Sequence, residues 1–511
     1  MSLLHSLIKI TRVVHARIPY GYKVLQIPWA TMTSTADQIV GVLDSTFIAQ
    51  DTGVHIQEAK CKSFISFYRN LNAQGDRSMF LRLMAERYGI NHDYVMQLSR
   101  NLPAAQDRSE AMLLKTEERL RSALMPRYQQ LFGQIGKVDG GVKFLVDMRV
   151  DVLNSMSTCT NEVDMAYYQA LNLSLKELLV LWFSVGLLNL QRVTWESPCD
   201  MVQKITDYEA VHPVRSWTDV KRRVGPYRRC YVFTHNSMPR EPVVVLHTAL
   251  TDNISSSIHS IIQSPGFRGS TSSTPEESGP EALEAPTEHE VEDPAKISTA
   301  VFYSITSTQK GLQSVDLGNY LIKRVVKELQ VEYPQINKFS SMSPIPGFRV
   351  WLIGEINKAI HISDIGEVIE DNLLTSSELE QLQPHGKSRN PLETFKHFIQ
   401  SHQWLNNPDL CDIVKTPLMR LCAQYLYVEK RRGYALNPVA TFHLKNGAVM
   451  WRLNWLADAS MRGLTQSCGM MVNYRYFLDT TDENSQQYLD NHTIAASKQI
   501  IDLASGVTPQ E

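Results

Sequence analysis

The spacing of apolar residues changes once along the chain, near Trp195, and that change limits what the chain can fold into. From about Cys61 to Leu190 the apolar residues recur three and four apart. The pattern is clearest in DRSMFLRLMAERYG, SEAMLLKTEERLRSALMPRYQQLFGQI and SLKELLVLWFSVGLLNL. Such spacing lines one face of a helix, whereas a half-buried strand needs a period of two. Past Trp195, RRCYVFTH and EPVVVLHTAL read as two strands joined by the turn-rich NSMPR, and STAVFYSITS reads as a third. The expected class is α+β and multidomain: an all-α helical bundle over 37–190, then a mixed α/β domain over 191–511. A chain of 511 residues is too long for one ordinary core, which agrees with a division into domains.

Within the helical half, Ser174 and Glu177 form a capping-box pattern that would open its last helix. The longest apolar run, Leu178–Leu188, is about half a bilayer span and is read as a buried helix rather than a membrane segment. Within the mixed half, Ser264–Lys296 is rich in Ser, Pro, Gly and Glu and poor in large apolar residues. It cannot bury enough surface to offset its ordering entropy and is expected to be a disordered acidic insertion.

Charge and cysteine usage exclude several classes. Lys plus Arg number 51 and Asp plus Glu 53, so no global excess of positive charge points to nucleic acid. The seven cysteines are scattered and never spaced as CxxC, which argues for a reducing compartment and against a zinc site. No acidic residue precedes Asp37, while Lys9, Arg12, Arg17 and Lys23 lie among apolar residues. Residues 1–36 therefore read as a mitochondrial targeting segment, directing the protein to the matrix. A start at Met32 would leave it in the cytosol, and the terminal TPQE is not a peroxisomal signal.

The sequence contains no GxSxG elbow, no GxGxxG and no HExxH, and the GKS at Gly386 lacks the upstream glycine of a phosphate loop. Three segments carry chemistry instead. STAVFYSITS feeds the loop TQKGLQSVDLG, which opens the helix NYLIKRVVKELQ with Leu317, Leu321, Val325 and Leu329 on one buried stripe. A strand, a Gly-containing turn and a helix start can together hold an anion. The basic clusters Lys221–Cys230 and Lys323/Arg324 are candidates to help hold a polyphosphate. In SSMSPIPGF, Pro344 and Pro346 stiffen a non-helical mount for Ser343. In NPVATFHLKNGAVMWRLNWLAD, Val449, Trp451, Leu453 and Trp455 alternate with polar residues or Met450 as one buried face of a strand, and His443 precedes it.

Six segments together resemble one family, malonyl-CoA decarboxylase. They are RRVGPYRRCY, FYSITSTQKGLQSVDLGNYLIKRVVKELQ, FSSMSPIPGF, TPLMRLCAQYLY, RGYALNPVATFHLKNGAVMWRLNW and GLTQSCGMMVNYRYFL. The likeness runs from about Cys61 onward, the acidic insertion apart. It implies a helical oligomerisation domain, a catalytic domain of the acetyltransferase (GNAT-like) fold, a homotetramer, and a place in fatty-acid metabolism. Carried over residue by residue, it puts the catalytic serine at Ser343 and the catalytic histidine at His443, with Tyr476 beside them. The malonyl-CoA-binding segment becomes Gln313, Ser314, Val315, Asp316, Leu317, Gly318 and Asn319. Two positions depart from the family: Asp316 stands for a glutamate and Ser314 for a common glycine. The family's interchain disulfide maps to Cys199.

The implied reaction converts malonyl-CoA to acetyl-CoA and CO2 through a thioester enolate. It needs no metal and no organic cofactor, because the thioester is itself the electron sink. Ser343 is expected to orient the departing carboxylate, and His443, with a pKa near neutrality, to protonate the α-carbon. Asp316 and Tyr476 would orient the pair. Donors aimed at the enolate oxygen are worth roughly 3–4 kcal/mol each in comparable oxyanion sites. The alternatives are an acyl-CoA-dependent N-acyltransferase, which needs an amine acceptor, and a non-catalytic CoA-binding scaffold. No nucleic-acid or membrane partner is expected.

Overall fold

The three strands expected from RRCYVFTH, EPVVVLHTAL and STAVFYSITS all form. The computed structural model describes residues 35–51, 57–262, 291–315, 320–364, 373–386, 388 and 390–506. Residues 1–34 of the expected targeting segment, 264–290 of the expected insertion, and Asp316–Asn319 lie outside the described residues. The chain forms two compact units: Met1–Val138 with Asn154–Leu171, and Asp139–Leu153 with Asn172–Glu511.

The first unit is helical. Helices α1 (Thr35–Asp51), α2 (Glu58–Arg69), α3 (Gln74–Tyr88) and α4 (Arg127–Ile135) bury an aromatic core. Phe80 takes Phe64 and Tyr68 edge-on at 5.3 and 5.1 Å, and Phe47 stacks on Tyr88 at 4.0 Å. Edge-to-face and offset contacts of this kind add to the burial of the rings themselves.

Two long helices follow, α5 (Gly141–Thr158) and α6 (Glu162–Trp182). The expected helix start at Ser174 does not occur, because α6 runs through it and Ser174 is buried in mid-helix. The preceding AYYQALNL offers no Gly or Pro to stop the chain before the capping-box pattern. Nor is the apolar run Leu178–Leu188 one buried helix. α6 ends at Trp182, a 3₁₀ turn spans Val185–Leu187, and strand β1 (Leu188–Val193) starts at the last residue of the run. Leu179 and Phe183 are buried, whereas Leu181 is exposed. No helix among the described residues is long and apolar enough to cross a membrane.

The second unit is built on one mixed sheet. Its strands are β1, β2 (Arg228–His235), β3 (Met238–Thr251), β4 (Thr299–Ser307), β5 (Lys338–Ser341), β6 (Ser343–Pro344), β9 (Val449–Asn454) and β10 (Met471–Tyr476). β7 (Lys430–Arg431) and β8 (Tyr434–Ala435) form a separate hairpin. β1 to β4 pair antiparallel in chain order, and the β2–β3 turn is only Asn236–Ser237, so Met238–Arg240 of the expected turn belong to the strand. β4 and β5 then pair in parallel across the helix Tyr320–Glu332, after which β10 accepts β5 and β6 along one edge and β9 along the other.

Among the helices of this unit are α7 (Trp217–Val224), α8 (Tyr320–Glu332), α9 (Phe348–Asp364), α10 (Pro408–Tyr427) and α11 (Pro438–Lys445). Leu321, Val325 and Leu329 form the buried stripe of α8, as their spacing requires.

β9 departs from the expected alternation. Met450 and Leu453 are the buried apolar residues, while Trp451 is only half-buried. The register explains it: Met450 pairs with Tyr474 and Arg452 with Asn473, so Trp451 is an extra residue in a bulge. A bulge inverts the facing of the residues on one side of it. Trp451 instead lies against the Arg475 guanidinium, 4.7 Å from its ring centre.

Described residues 291–296, the end of the segment read as an insertion, are tied into the sheet. Glu292 accepts from the Tyr227 N–H and pairs with Arg229, a buried guanidinium that Glu332 also holds.

Candidate active site

The sheet parts in one place. Phe302 of β4 pairs with Ser341 of β5, and the Met342 N–H still reaches the Phe302 carbonyl at 2.9 Å. Beyond that point β4 is paired only with β3, and β6 only with β10. The gap between the diverging strands is a cavity of about 770 Å³. Ser304 and Ile305 line it from β4, Gln313–Val315 from the following loop, Met342–Pro344 from the other strand, and Phe442, His443 and Lys445 from α11.

The stiff mount expected for Ser343 is a strand end rather than a free loop. Ser343 pairs with Val472 and Pro344 with Met471, as two-residue β6. Pro344 contributes no N–H, and at the rim of a sheet that omission costs no ladder bond. The Pro346 carbonyl accepts from Tyr425 Oη at 3.0 Å and from Asn437 Nδ2 at 2.9 Å, which fixes the turn into α9.

His443 is carried by α11, a helix the sequence reading left unassigned. Its start follows standard capping: Asn437 Oδ1 accepts the Ala440 N–H at 2.9 Å, and Pro438 occupies the first turn. Its end is Asn446–Gly447, with Gly447 at φ +76 and its α-carbon hard against the Thr481 carbonyl. The NP…NG bracket around His443 was the available signal for a short helix. Asn437 thus secures both mounts, capping the helix of His443 and holding the turn after Ser343.

The three expected side chains meet in a line. Ser343 Oγ is 2.8 Å from His443 Nε2, and His443 Nδ1 is 2.7 Å from Tyr476 Oη. Ser341, which sequence reasoning missed, extends it: its Oγ is 2.8 Å from Ser343 Oγ and accepts the Tyr474 N–H at 3.2 Å. Ser341 lies two residues before Ser343 in an extended chain, so both face the same way. The imidazole lies flat against the Tyr474 ring, with centroids 4.4 Å apart.

Donor bookkeeping assigns the protons. Burial holds the Tyr476 phenol well above its ordinary pKa, so it keeps its proton, and with Nδ1 as the partner of its hydroxyl the assignment makes it the donor to Nδ1. Nε2 then carries the ring hydrogen and donates to Ser343 Oγ, as does the Ser341 hydroxyl, whose own oxygen takes the Tyr474 N–H. On that assignment the Ser343 O–H is the one hydrogen of the chain with no acceptor within it, and Ser343 lines the cavity. Burial also pushes the His443 imidazole down to about 3. That direction runs against the near-neutral pKa expected for it, and its cause is desolvation of a buried ring stacked on Tyr474.

Gln313, Ser314 and Val315 line the same cavity, and Ser314 has φ +61, a left-handed conformation natural to glycine. Asp316, Leu317, Gly318 and Asn319 lie outside the described residues. The basic clusters do not line the cavity. Arg223 on α7 pairs with Asp219, Arg229 with Glu292 and Glu332, Lys323 with Asp482, and the Arg324 guanidinium donates to the Leu188 carbonyl. Lys445 is the one formally charged side chain among the described lining residues. Cys199 is exposed at the first position of the helix Cys199–Asp207, and no two of the seven cysteines are bridged within the chain. Among the described residues no group of His, Cys, Asp and Glu is placed to hold a metal ion.

Comparison with known proteins identifies the family. Residues 88–183 match the family model for the malonyl-CoA decarboxylase N-terminal domain, and 186–510 match that for its C-terminal domain. The mouse protein named mitochondrial malonyl-CoA decarboxylase is 48% identical over 451 residues, spanning 88% of this chain and 86% of its own. The greylag goose (Anser anser anser) protein of the same name is 46% identical over 450 residues, 88% of this chain and 84% of its own. Among solved structures, malonyl-CoA decarboxylase from Rhodopseudomonas palustris superposes with a TM-score of 0.73 at 28% identity, covering 92% of this chain and 99% of its own. That from Agrobacterium vitis gives 0.72 at 26% identity, over 91% and 99%. With both domain models matched in order and a relative 48% identical over most of both chains, the chain belongs to the malonyl-CoA decarboxylase family.

Proposed function

We propose that this protein decarboxylates malonyl-CoA to acetyl-CoA and CO2, with Ser343 and His443 as its catalytic pair. The observation that carries the proposal is the Tyr476–His443–Ser343 chain, whose last member, Ser343, lines an apolar-walled cavity. A donor there can hold the malonyl carboxylate across the plane of the thioester and then face the enolate as charge moves to the thioester oxygen. Loss of CO2 leaves one negative charge on the enolate, and one proton from solvent must reach the α-carbon.

His443 is the carrier of that proton. Neutral in the empty cavity, it gains proton affinity when an anionic substrate enters, because a nearby negative charge favours the imidazolium. Tyr476 suits both states: its hydroxyl donates to Nδ1 of the neutral ring and its oxygen accepts from Nδ1–H of the charged one. Asp316 would help orient the pair, its carboxylate one methylene shorter than the family's glutamate. The Gln313–Asn319 segment takes the CoA thioester.

The same reading takes 191–511 as a GNAT-like catalytic domain, supported by the antiparallel meander β1–β4 that leads into the parallel β4–β5 pair. It also takes 37–190 as an oligomerisation domain of a homotetramer and Cys199 as the interchain cysteine, and it makes the enzyme a control on malonyl-CoA in fatty-acid metabolism. The names of the mouse and goose relatives support a mitochondrial location. The acyltransferase alternative finds no support in the matches.

The test is direct. Purified protein given malonyl-CoA should release CO2 and acetyl-CoA. Ser343→Ala and His443→Asn should each lower kcat by about a hundredfold or more, with KM changed far less. Full turnover by either variant would remove the site assignment.

A further inference from the structure

Arg149 projects from α5 into the base of the loop that follows β4, and its side chain is 2% exposed. Nη1 donates to the Gly311 carbonyl at 2.6 Å and the Gln313 carbonyl at 2.9 Å, while Nε donates to Asn172 Oδ1 at 3.0 Å. The loop has no freedom to slide along the helix at this point. A β-carbon on Gly311 would stand 1.9 Å from the Val146 carbonyl oxygen, so the two backbones touch.

The conformation of that loop is specific. Leu312–Val315 is a β-turn closed by the Val315 N–H on the Leu312 carbonyl at 3.0 Å. Its central residues are Gln313 at φ −55, ψ 131 and Ser314 at φ +61, the dihedrals of a type II turn. A type I turn would flip only the peptide between them and would spare Ser314 a left-handed backbone. The carbonyl that distinguishes the two forms is that of Gln313, and it is the one Arg149 holds. Carbonyl and N–H of one trans peptide unit point in opposite directions. Fixing the Gln313 carbonyl on the guanidinium therefore turns the Ser314 N–H the other way, on a turn whose Gln313, Ser314 and Val315 line the cavity.

We propose that Arg149 is a positioning residue for substrate: it selects the type II turn and so presents the Ser314 N–H to an anionic oxygen of the acyl-CoA. This rests on the reading of the chain as an enzyme of malonyl-CoA. The effect belongs to binding, since Arg149 itself lies behind the turn and touches no reacting atom.

The experiment compares wild-type protein with Arg149→Met, Arg149→Lys and Asn172→Ala. The readouts are the Kd of acetyl-CoA by calorimetry and KM and kcat for malonyl-CoA. Arg149→Met should raise Kd and KM about tenfold, the loss of a hydrogen bond from the Ser314 N–H to a charged oxygen, with kcat within about twofold. Arg149→Lys, which keeps one charged donor, should recover part of the loss. Should Arg149→Met not fold, as judged by circular dichroism, Asn172→Ala decides: it frees one side of the guanidinium and should raise Kd about threefold. A Kd and KM within about twofold of wild type, or a fall in kcat with KM unchanged, overturns the proposal. Wild-type protein that binds acetyl-CoA but turns over no malonyl-CoA would remove the decarboxylase reading alone, and the acetyl-CoA comparison would still decide the role of Arg149.

Discussion

Replacing Asn437 should damage both halves of the Ser343–His443 pair at once, and in separable amounts. The side chain is fully buried, accepts the Ala440 N–H at the start of α11, and donates to the Pro346 carbonyl. Asn437→Ala orphans the Ala440 N–H, a lost cap worth about 1 kcal/mol. It also deletes a buried hydrogen bond worth about another 1 kcal/mol, softened because Tyr425 still donates to Pro346. The expected total is about 2 kcal/mol, before any cost of the small void. Asn437→Ser keeps a capping oxygen and loses only the amide donor, so about 1 kcal/mol is expected. Urea unfolding followed by tryptophan fluorescence measures both, alongside initial rates with malonyl-CoA. Ala440 is three residues from His443 and Pro346 three from Ser343, so kcat should fall in the same order, Ala below Ser below wild type. If both variants unfold within about 0.5 kcal/mol of wild type, or the serine variant is the worse of the two, Asn437 does not couple the mounts as argued.

The remaining expectations concern charge and backbone. Burial depresses His443 to about 3 and His212 and His247 to about 4, from an ordinary 6.5. The unfolded chain binds those protons first, so stability is complete above about pH 6.5 and is lost as pH falls toward 4; the urea midpoint should drop across that window, with a shallower slope in His443→Asn. A flat midpoint there would mean that the imidazoles are hydrated. Lys445→Gln should raise KM for malonyl-CoA several-fold and weaken its dependence on salt, with kcat little changed, since no other described lining residue carries a formal charge. Unchanged KM would place the substrate's phosphates elsewhere. Ser314→Gly should stabilise the turn by up to about 1 kcal/mol without loss of activity, whereas a bulkier Ser314→Val should raise KM.

Much of this was legible in the residues because local rules governed it. β2, β3 and β4 were readable from unbroken β-branched and aromatic runs, and α8 from a stripe at spacing four. Ser343, His443 and Tyr476 were reached by motif likeness, and the loop at Gln313 by its place between a strand and a helix. What escaped was set by partners distant in sequence. The bulge at Trp451 depends on the register with β10, which no pattern within β9 encodes. The depressed pKa of His443 comes from walls contributed by β10 and α11 together. Arg149 lies 164 residues from the Gln313 carbonyl it holds, on a helix that reads as scaffold. The Ser174 capping box illustrates the opposite error: its local grammar was correct, but a continuous apolar stripe overrode it.

The parting of β4 from β6 has a thermodynamic consequence. Two strand edges face one another across a gap too wide for them to pair, so the sheet carries an unfilled seam through its centre. Anything that lies in the seam and supplies donors and acceptors to those edges binds the folded chain and not the unfolded one. Substrate and product are then structural components as well as reactants: at a hundred times its Kd, such a ligand adds about 2.7 kcal/mol to the folded state. The enzyme's resistance to heat should accordingly rise and fall with the concentration of the acyl-CoA it consumes.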